Sequence, residues 1–208
     1  MLVKVSVKKV APPKHILERT RQLLESNNNS GKTMFSNPKR DNFWAKRYLL
    51  FDKFDLGIKL DEESWFLAIP EVIAEHISLR IKCATVLDGY CGVGCASLKF
   101  ADTCHTVLAD ENEHIKLECL EANEVVYGVE NITNLNFDFL ELPEIKADVV
   151  FLAPQCLREF AELDEVDPIE HYSPPLGIVF EKALSINNNI VLLLPATIGI
   201  HKVAALMA

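Results

Sequence analysis

The sequence predicts an α/β protein, doubly wound around a mainly parallel sheet, with an N-terminal helical extension. Three observations predict it. From residue 70 onward, short apolar runs alternate with segments of helical periodicity. A glycine-rich turn follows the first of those runs. Charge also divides the chain unequally. Residues 1–50 carry 11 Lys and Arg against 3 Asp and Glu, whereas the remaining 158 residues carry 10 against 27. The formal net charge of -9 over 208 residues therefore conceals a basic arm ahead of an acidic domain. The length suits one domain of ordinary size plus an appendage.

The elements follow in order. Residues 1–41 are expected to be a basic extension. It holds a short helix from Ile16 to Leu24 behind the Pro12-Pro13 stop, then a polar stretch from Ser26 to Thr33 that reads as a linker. The stretch ends like a phosphate-binding loop, but Ser26 stands where that loop needs its first glycine, and no apolar strand precedes it. Residues 42–208 form the domain. An aromatic-rich segment runs from Phe43-Trp44 to Trp65-Phe66, followed by a helix over 71–82 entered through Pro70. Strands are predicted at 85–88, 106–109, 132–136, 147–152 and 190–194. Helices are predicted at 96–101, 112–127 and 176–185, with a last helical piece from Ile200. Strand and helix alternate at a spacing that implies right-handed crossovers, hence parallel strands. No apolar run reaches 18 residues, and the start carries no apolar core like that of a signal peptide, so no membrane role is expected. The six cysteines are scattered, without a C-x-x-C pair, and neither they nor the six histidines have metal-ligand spacing.

Chemistry concentrates at Asp88-Gly-Tyr-Cys-Gly92-Val-Gly94, at the end of the first strand. Glycines let the chain turn sharply and let backbone approach a ligand, and ligands of such folds bind beyond the carboxyl ends of the strands. A dinucleotide fingerprint wants glycine at position 97, where Ser97 stands. Asp88 would repel a pyrophosphate. It suits a ligand with a cationic end, such as the aminoacyl and sulfonium part of S-adenosylmethionine. Asp110 and Glu111 stand at the tip of the next strand, where a carboxylate can accept ribose hydroxyls, and Asp138-Phe139 follows the third, placed to meet an adenine. Each acid alone reads as a cap or loop residue; three successive strand tips form a joint pattern pointing to adenosylmethionine.

Several stretches resemble the trimethylguanosine synthase family of RNA cap guanine-N2 methyltransferases. They are Trp44-Ala-Lys-Arg-Tyr-Leu-Leu-Phe51, Phe54-Asp-Leu-Gly-Ile-Lys-Leu-Asp61, Trp65-Phe66, Pro70 through Ile77, Asp88 through Gly94, Val126-Tyr-Gly128, Lys146 through Leu152, and Asn188-Asn-Ile-Val191 through Leu194-Pro195. The resemblance covers about Asn42 to the C-terminus. It implies a Rossmann-like class I methyltransferase fold, S-adenosyl-L-methionine as cofactor, and conversion of a 7-methylguanosine cap to the 2,2,7-trimethyl form. It assigns the cofactor to Asp88, Gly92, Gly94, Asp110, Glu111, Asp138 and Phe139. Amine orientation falls to Ala153, Pro154 and Asn123, and the base to Phe51, Gln155 and Cys156, with no metal. The implied partner is capped small nuclear or nucleolar RNA, with the basic arm able to touch RNA, and the implied location is the nucleus, the cytoplasm or both.

The substrate side departs from the family's pattern. Its Ser-Pro-Pro-Trp is Ala153-Pro154-Gln155-Cys156 here, so one aromatic face for a cationic methylated guanine is missing. Ile69, Ala196 and Asn42 replace the family's threonine, arginine and lysine, and six acids lie between Glu159 and Glu170, where an RNA cap should arrive. The sheet is expected to lack the family's last strand pair, with residues 190–194 at or next to an edge. The alternative reading is therefore a catalytically impaired methyltransferase-like interaction module.

Overall fold

The computed structural model describes residues 44–155, 167 and 171–206. The expected extension over residues 1–41, Cys156 and nearly all of the acidic run lie outside the described residues.

Five strands form one sheet: β1 (Thr85–Gly89), β2 (Thr106–Asp110), β3 (Ile132–Leu135), β4 (Val149–Leu152) and β5 (Ile190–Leu192). Their order is β3-β2-β1-β4-β5, and every pairing is parallel. The chain steps outward from β1 to β3, then returns to lay β4 on the other side of β1. The topological switch point thus falls between β1 and β4, where Gly89 stands opposite Leu152.

Alternation along the central strands explains why they are covered on both faces. Val86, Val107 and Phe151 face one layer, packing with Phe100 and Ile81. Leu87, Val150 and Leu152 face the other, against Val179 and Ala183. The first layer holds α4 (Ser97–Phe100) and α5 (His114–Tyr127), and the second holds α6 (Leu176–Ile186). Burying each such side chain contributes about 1.5–3 kcal/mol, so polar substitution at Leu87 or Phe151 would be felt throughout the sheet. A last helix, α7 (Ile200–Leu206), contributes Val203 to a small cluster with Tyr172 and Leu176.

Ahead of the sheet, α1 (Arg47–Leu50), a 3-10 turn (Phe54–Leu56), α2 (Ser64–Leu67) and α3 (Glu71–Ser78) lie over the first layer. Leu50, Phe51 and Ile58 bury themselves against Cys91, Val93, Leu117 and Leu120. A polar knot reinforces the junction. Buried Glu71 accepts from the amide of Asp52 and from the hydroxyl of Tyr127 at 3.0 Å, and pairs with Lys99 at 2.5 Å.

Boundaries depart from the sequence reading where side chains intervene. The helix expected over 71–82 ends at Ser78, whose hydroxyl bonds back to the Glu75 carbonyl, and the chain then turns Ile81 into the core. The helix expected from residue 112 begins at His114, because the Glu113 amide is held by the Glu111 carboxylate at 3.0 Å. Gly128, at φ +70, stops α5 as expected, its amide bonding the Glu124 carbonyl at 2.8 Å.

Candidate functional site

The site is built on the turn after β1. Gly92 and Gly94 have φ of +57 and +89, a region side chains adopt at a cost. Their reasons differ. A Cβ on Gly94 would lie 2.2 Å from Leu120, so this glycine lets α5 pack on the turn. A Cβ on Gly92 would meet nothing within 4 Å, so its backbone is left open to a ligand. Asp88, only 1% exposed, accepts from Ser97 Oγ at 2.5 Å. The serine that spoils the dinucleotide fingerprint thus ties the start of α4 to the strand tip.

The tip of β2 joins that of β1. Asp110 ends β2, 1% exposed, and accepts from the Phe137 amide at 3.3 Å. Glu111 accepts from the Gly92 amide at 3.1 Å and from that of Glu113, which joins the second strand tip to the glycine turn. Each of its oxygens keeps a lone pair for a further donor. Burial pushes the Asp88 carboxyl up to about 7, with Glu111 and Asp110 adding repulsion and the Ser97 hydrogen bonds opposing it. Burial, then Glu111 and Asp138, likewise pushes Asp110 up to about 7 against the Phe137 amide. Glu111 is also raised by burial, against the amides and Lys116 that hold it. These acids await positive charge.

A cleft of about 180 Å³ opens between the two halves of the sheet, lined by Tyr90, Glu111, Lys116, Pro154, Gln155 and Val179 among others. Lys116, 3% exposed, donates to Glu63 at 3.0 Å and to Glu113. Burial lowers its ammonium's pKa, but the hydrogen bonds it donates to Glu113 and Glu63 outweigh this and leave it raised. It thereby fastens α2's leading turn to the start of α5.

Other residues read as site residues from the sequence stand elsewhere. Asp138 is exposed, and one of its oxygens caps the 3-10 turn Phe139–Glu141 through the Leu140 amide at 2.9 Å. Phe139 is 2% exposed, packed beneath Tyr90 with ring centroids 5.4 Å apart, so it is not the open adenine face its position suggested. Phe137, 42% exposed beside Asp138, is the more accessible ring. Phe51 was expected to stack on the base; at 2% exposure its ring packs edge-on against Tyr127 in the core and does not line the cleft. Asn123, expected to orient the amine, is fully buried. It donates to the Lys59 and Val93 carbonyls at 3.0 and 3.1 Å and accepts from the Lys59 amide at 2.7 Å. It supports the site by clamping the glycine turn to the N-terminal segment. Pro154 and Gln155 do line the cleft, directly after Ala153.

Sequence reasoning missed Tyr90, Lys116 and Phe137. Tyr90 and Phe137 had a signal, being neighbours of the motif acids. Lys116 had none, because its partners lie 53 residues away and three residues away on different elements.

Fold and site together define a Rossmann-like methyltransferase. The fold alone is shared with a solved structure of a methyltransferase from Porphyromonas gingivalis, described there as putative, at 16% identity and a TM-score of 0.62. The match covers 94% of this chain and 53% of that one, so the chain spans about half its length. The sequence profile of the RNA cap guanine-N2 methyltransferases matches residues 83–208, and the chain belongs to that family. It is also 26% identical over 176 residues to the trimethylguanosine synthase of Schizosaccharomyces pombe, covering 78% of this chain and 73% of that protein.

Proposed function

We propose that the chain transfers a methyl group from S-adenosylmethionine to the exocyclic N2 of guanine in a 7-methylguanosine RNA cap. The observation that carries the reading is the meeting of Asp88, Asp110 and Glu111 at the adjoining tips of β1 and β2, in a family of cap guanine methyltransferases. The residues fit this cofactor. Buried carboxyls with raised pKa values suit its cationic end, Glu111 retains acceptor sites for ribose hydroxyls, and the Gly92 backbone is open.

When bound, adenosylmethionine supplies a methyl group made electrophilic by the sulfonium. Asp88 balances positive charge, Glu111 orients the ribose, and Phe137 with Asp138 takes the adenine. Pro154 and Gln155 wall the acceptor side and direct the amine lone pair toward the methyl. Positioning supplies most of the acceleration, because it turns a two-body encounter into a one-body step. The amine's proton leaves to water after transfer, so no dedicated base is needed. The RNA partner is a capped small nuclear or nucleolar RNA, approached through the basic arm, in the nucleus or cytoplasm.

Calorimetric titration with adenosylmethionine, then labelled methyl transfer to 7-methyl-GTP and to capped RNA, tests this. Binding that Asp88→Ala abolishes, with transfer to both acceptors, is expected. No heat would sink the cofactor assignment. Binding without transfer would leave a methyltransferase-like interaction module in its place.

A further inference from the structure

Tyr90 carries two features that packing does not explain. Its φ is +63, in the left-handed region that a bulky L-residue enters only at steric cost. Its hydroxyl oxygen is shut off from solvent and has no hydrogen-bond partner among the described residues. Buried hydroxyls are nearly always paired, and strained backbone gathers at ligand sites. Tyr90 also lines the cleft.

Its place in the sheet says which ligand atom is near. Gly89 and Leu152 are opposed at the paired ends of β1 and β4, so Tyr90 and Ala153 are the next residues beyond that pair. Pro154 and Gln155 continue from Ala153 and line the same cleft as Tyr90. Tyr90 thus stands at the boundary between the acid cluster and the acceptor wall. An exocyclic amine must have an N–H held aside for its lone pair to face the methyl. The Ala153 carbonyl and the Gln155 carboxamide offer acceptors from the β4 side, and the phenolic oxygen of Tyr90 offers one from the β1 side. Burial, reinforced by Asp138, Asp110 and Glu111, keeps this phenol protonated, so it can orient an amine and cannot act as a base.

We infer, resting on the guanine-N2 reading, that Tyr90 is a substrate-contacting residue whose hydroxyl, turned from its buried position into the cleft the residue lines, accepts a hydrogen bond from the exocyclic amine of the acceptor base. The base completes the partnership that the protein leaves open, and the hydroxyl lets the site discriminate guanine from a purine lacking the amine.

The test compares the full chain with Tyr90→Phe, both saturated with S-adenosylhomocysteine, in calorimetric titrations with 7-methyl-GTP and with 7-methylinosine triphosphate, which lacks only that amine. Wild type is expected to prefer the guanine nucleotide by about tenfold, and Tyr90→Phe to hold the two within about twofold, with S-adenosylhomocysteine affinity changed less than about threefold. An equal guanine preference in both proteins would overturn the inference. So would a loss of S-adenosylhomocysteine affinity in Tyr90→Phe as large as its loss for guanine, which would assign the hydroxyl to the cofactor. A wild type that binds S-adenosylhomocysteine and neither nucleotide would instead remove the cap-guanine reading, and this inference with it.

Discussion

At the scale of single residues, Asp88 shows how a binding site is held at the expense of the ligand-free fold. An aspartate in an unfolded chain titrates near 3.9; in the native protein burial pushes the Asp88 carboxyl up to about 7. The native state therefore holds this proton more tightly than the unfolded state. Its contribution is fully present below about pH 4 and is lost as pH rises through about 7, on the order of 4 kcal/mol in total. The ligand-free protein should melt several degrees lower at pH 8 than at pH 6, and Asp88→Asn should reduce that difference to the part Asp110 supplies while raising the melting temperature at pH 8. Adenosylmethionine affinity should move oppositely, weakening as pH drops below 7, because only the carboxylate attracts the cation. Melting curves across pH 5.5–8.5, with and without the cofactor, measure both; a wild-type melting temperature independent of pH would contradict the ionisation described.

Among the elements, the β1 turn and α5 separate packing from binding. Gly94→Ala forces a Cβ into Leu120 at a φ of +89, so it should lower stability by about 2–4 kcal/mol and leave little folded protein to bind anything. Gly92→Ala meets open space at a φ of +57, so it should cost only about 1 kcal/mol yet weaken adenosylmethionine at least tenfold. Denaturant melts and calorimetry on the two variants distinguish them; equal stability losses would overturn the assignment. Both glycines were visible in the sequence, but their different reasons were not, since Leu120 lies 26 residues further on. The same limit governs the rest of the site. Strands such as Val149–Leu152 were legible because an element buried on both faces is an uninterrupted apolar run. The acids at strand tips were legible because topology puts every tip of a parallel sheet on one edge. Phe51 and Asn123 were read as facing substrate because motif position says nothing of burial; tertiary contacts with Tyr127, Lys59 and Val93 decide it.

For the whole molecule, the division of charge sets how RNA must approach. The domain after residue 50 carries 27 acids against 10 bases, a balance that opposes a polyanion. On the proposed reading, electrostatic attraction for RNA is assigned to the basic arm. Changing Lys4, Lys8, Lys9 and Lys14 together to Gln should reduce the slope of log affinity against log salt by up to about 3 for single-stranded RNA, leaving adenosylmethionine affinity untouched. Fluorescence anisotropy at several salt concentrations measures this, and an unchanged slope would move the RNA contact off the arm. Behind the candidate site, the N-terminal segment is tied to the glycine turn. The Asn123 carboxamide holds Lys59 on one side and Val93 of the glycine turn on the other, so the N-terminal segment and the glycine turn are already joined in the ligand-free protein. In kinetic language, a turn held in place beforehand makes a random order of addition the expected scheme, since neither ligand has to settle it for the other.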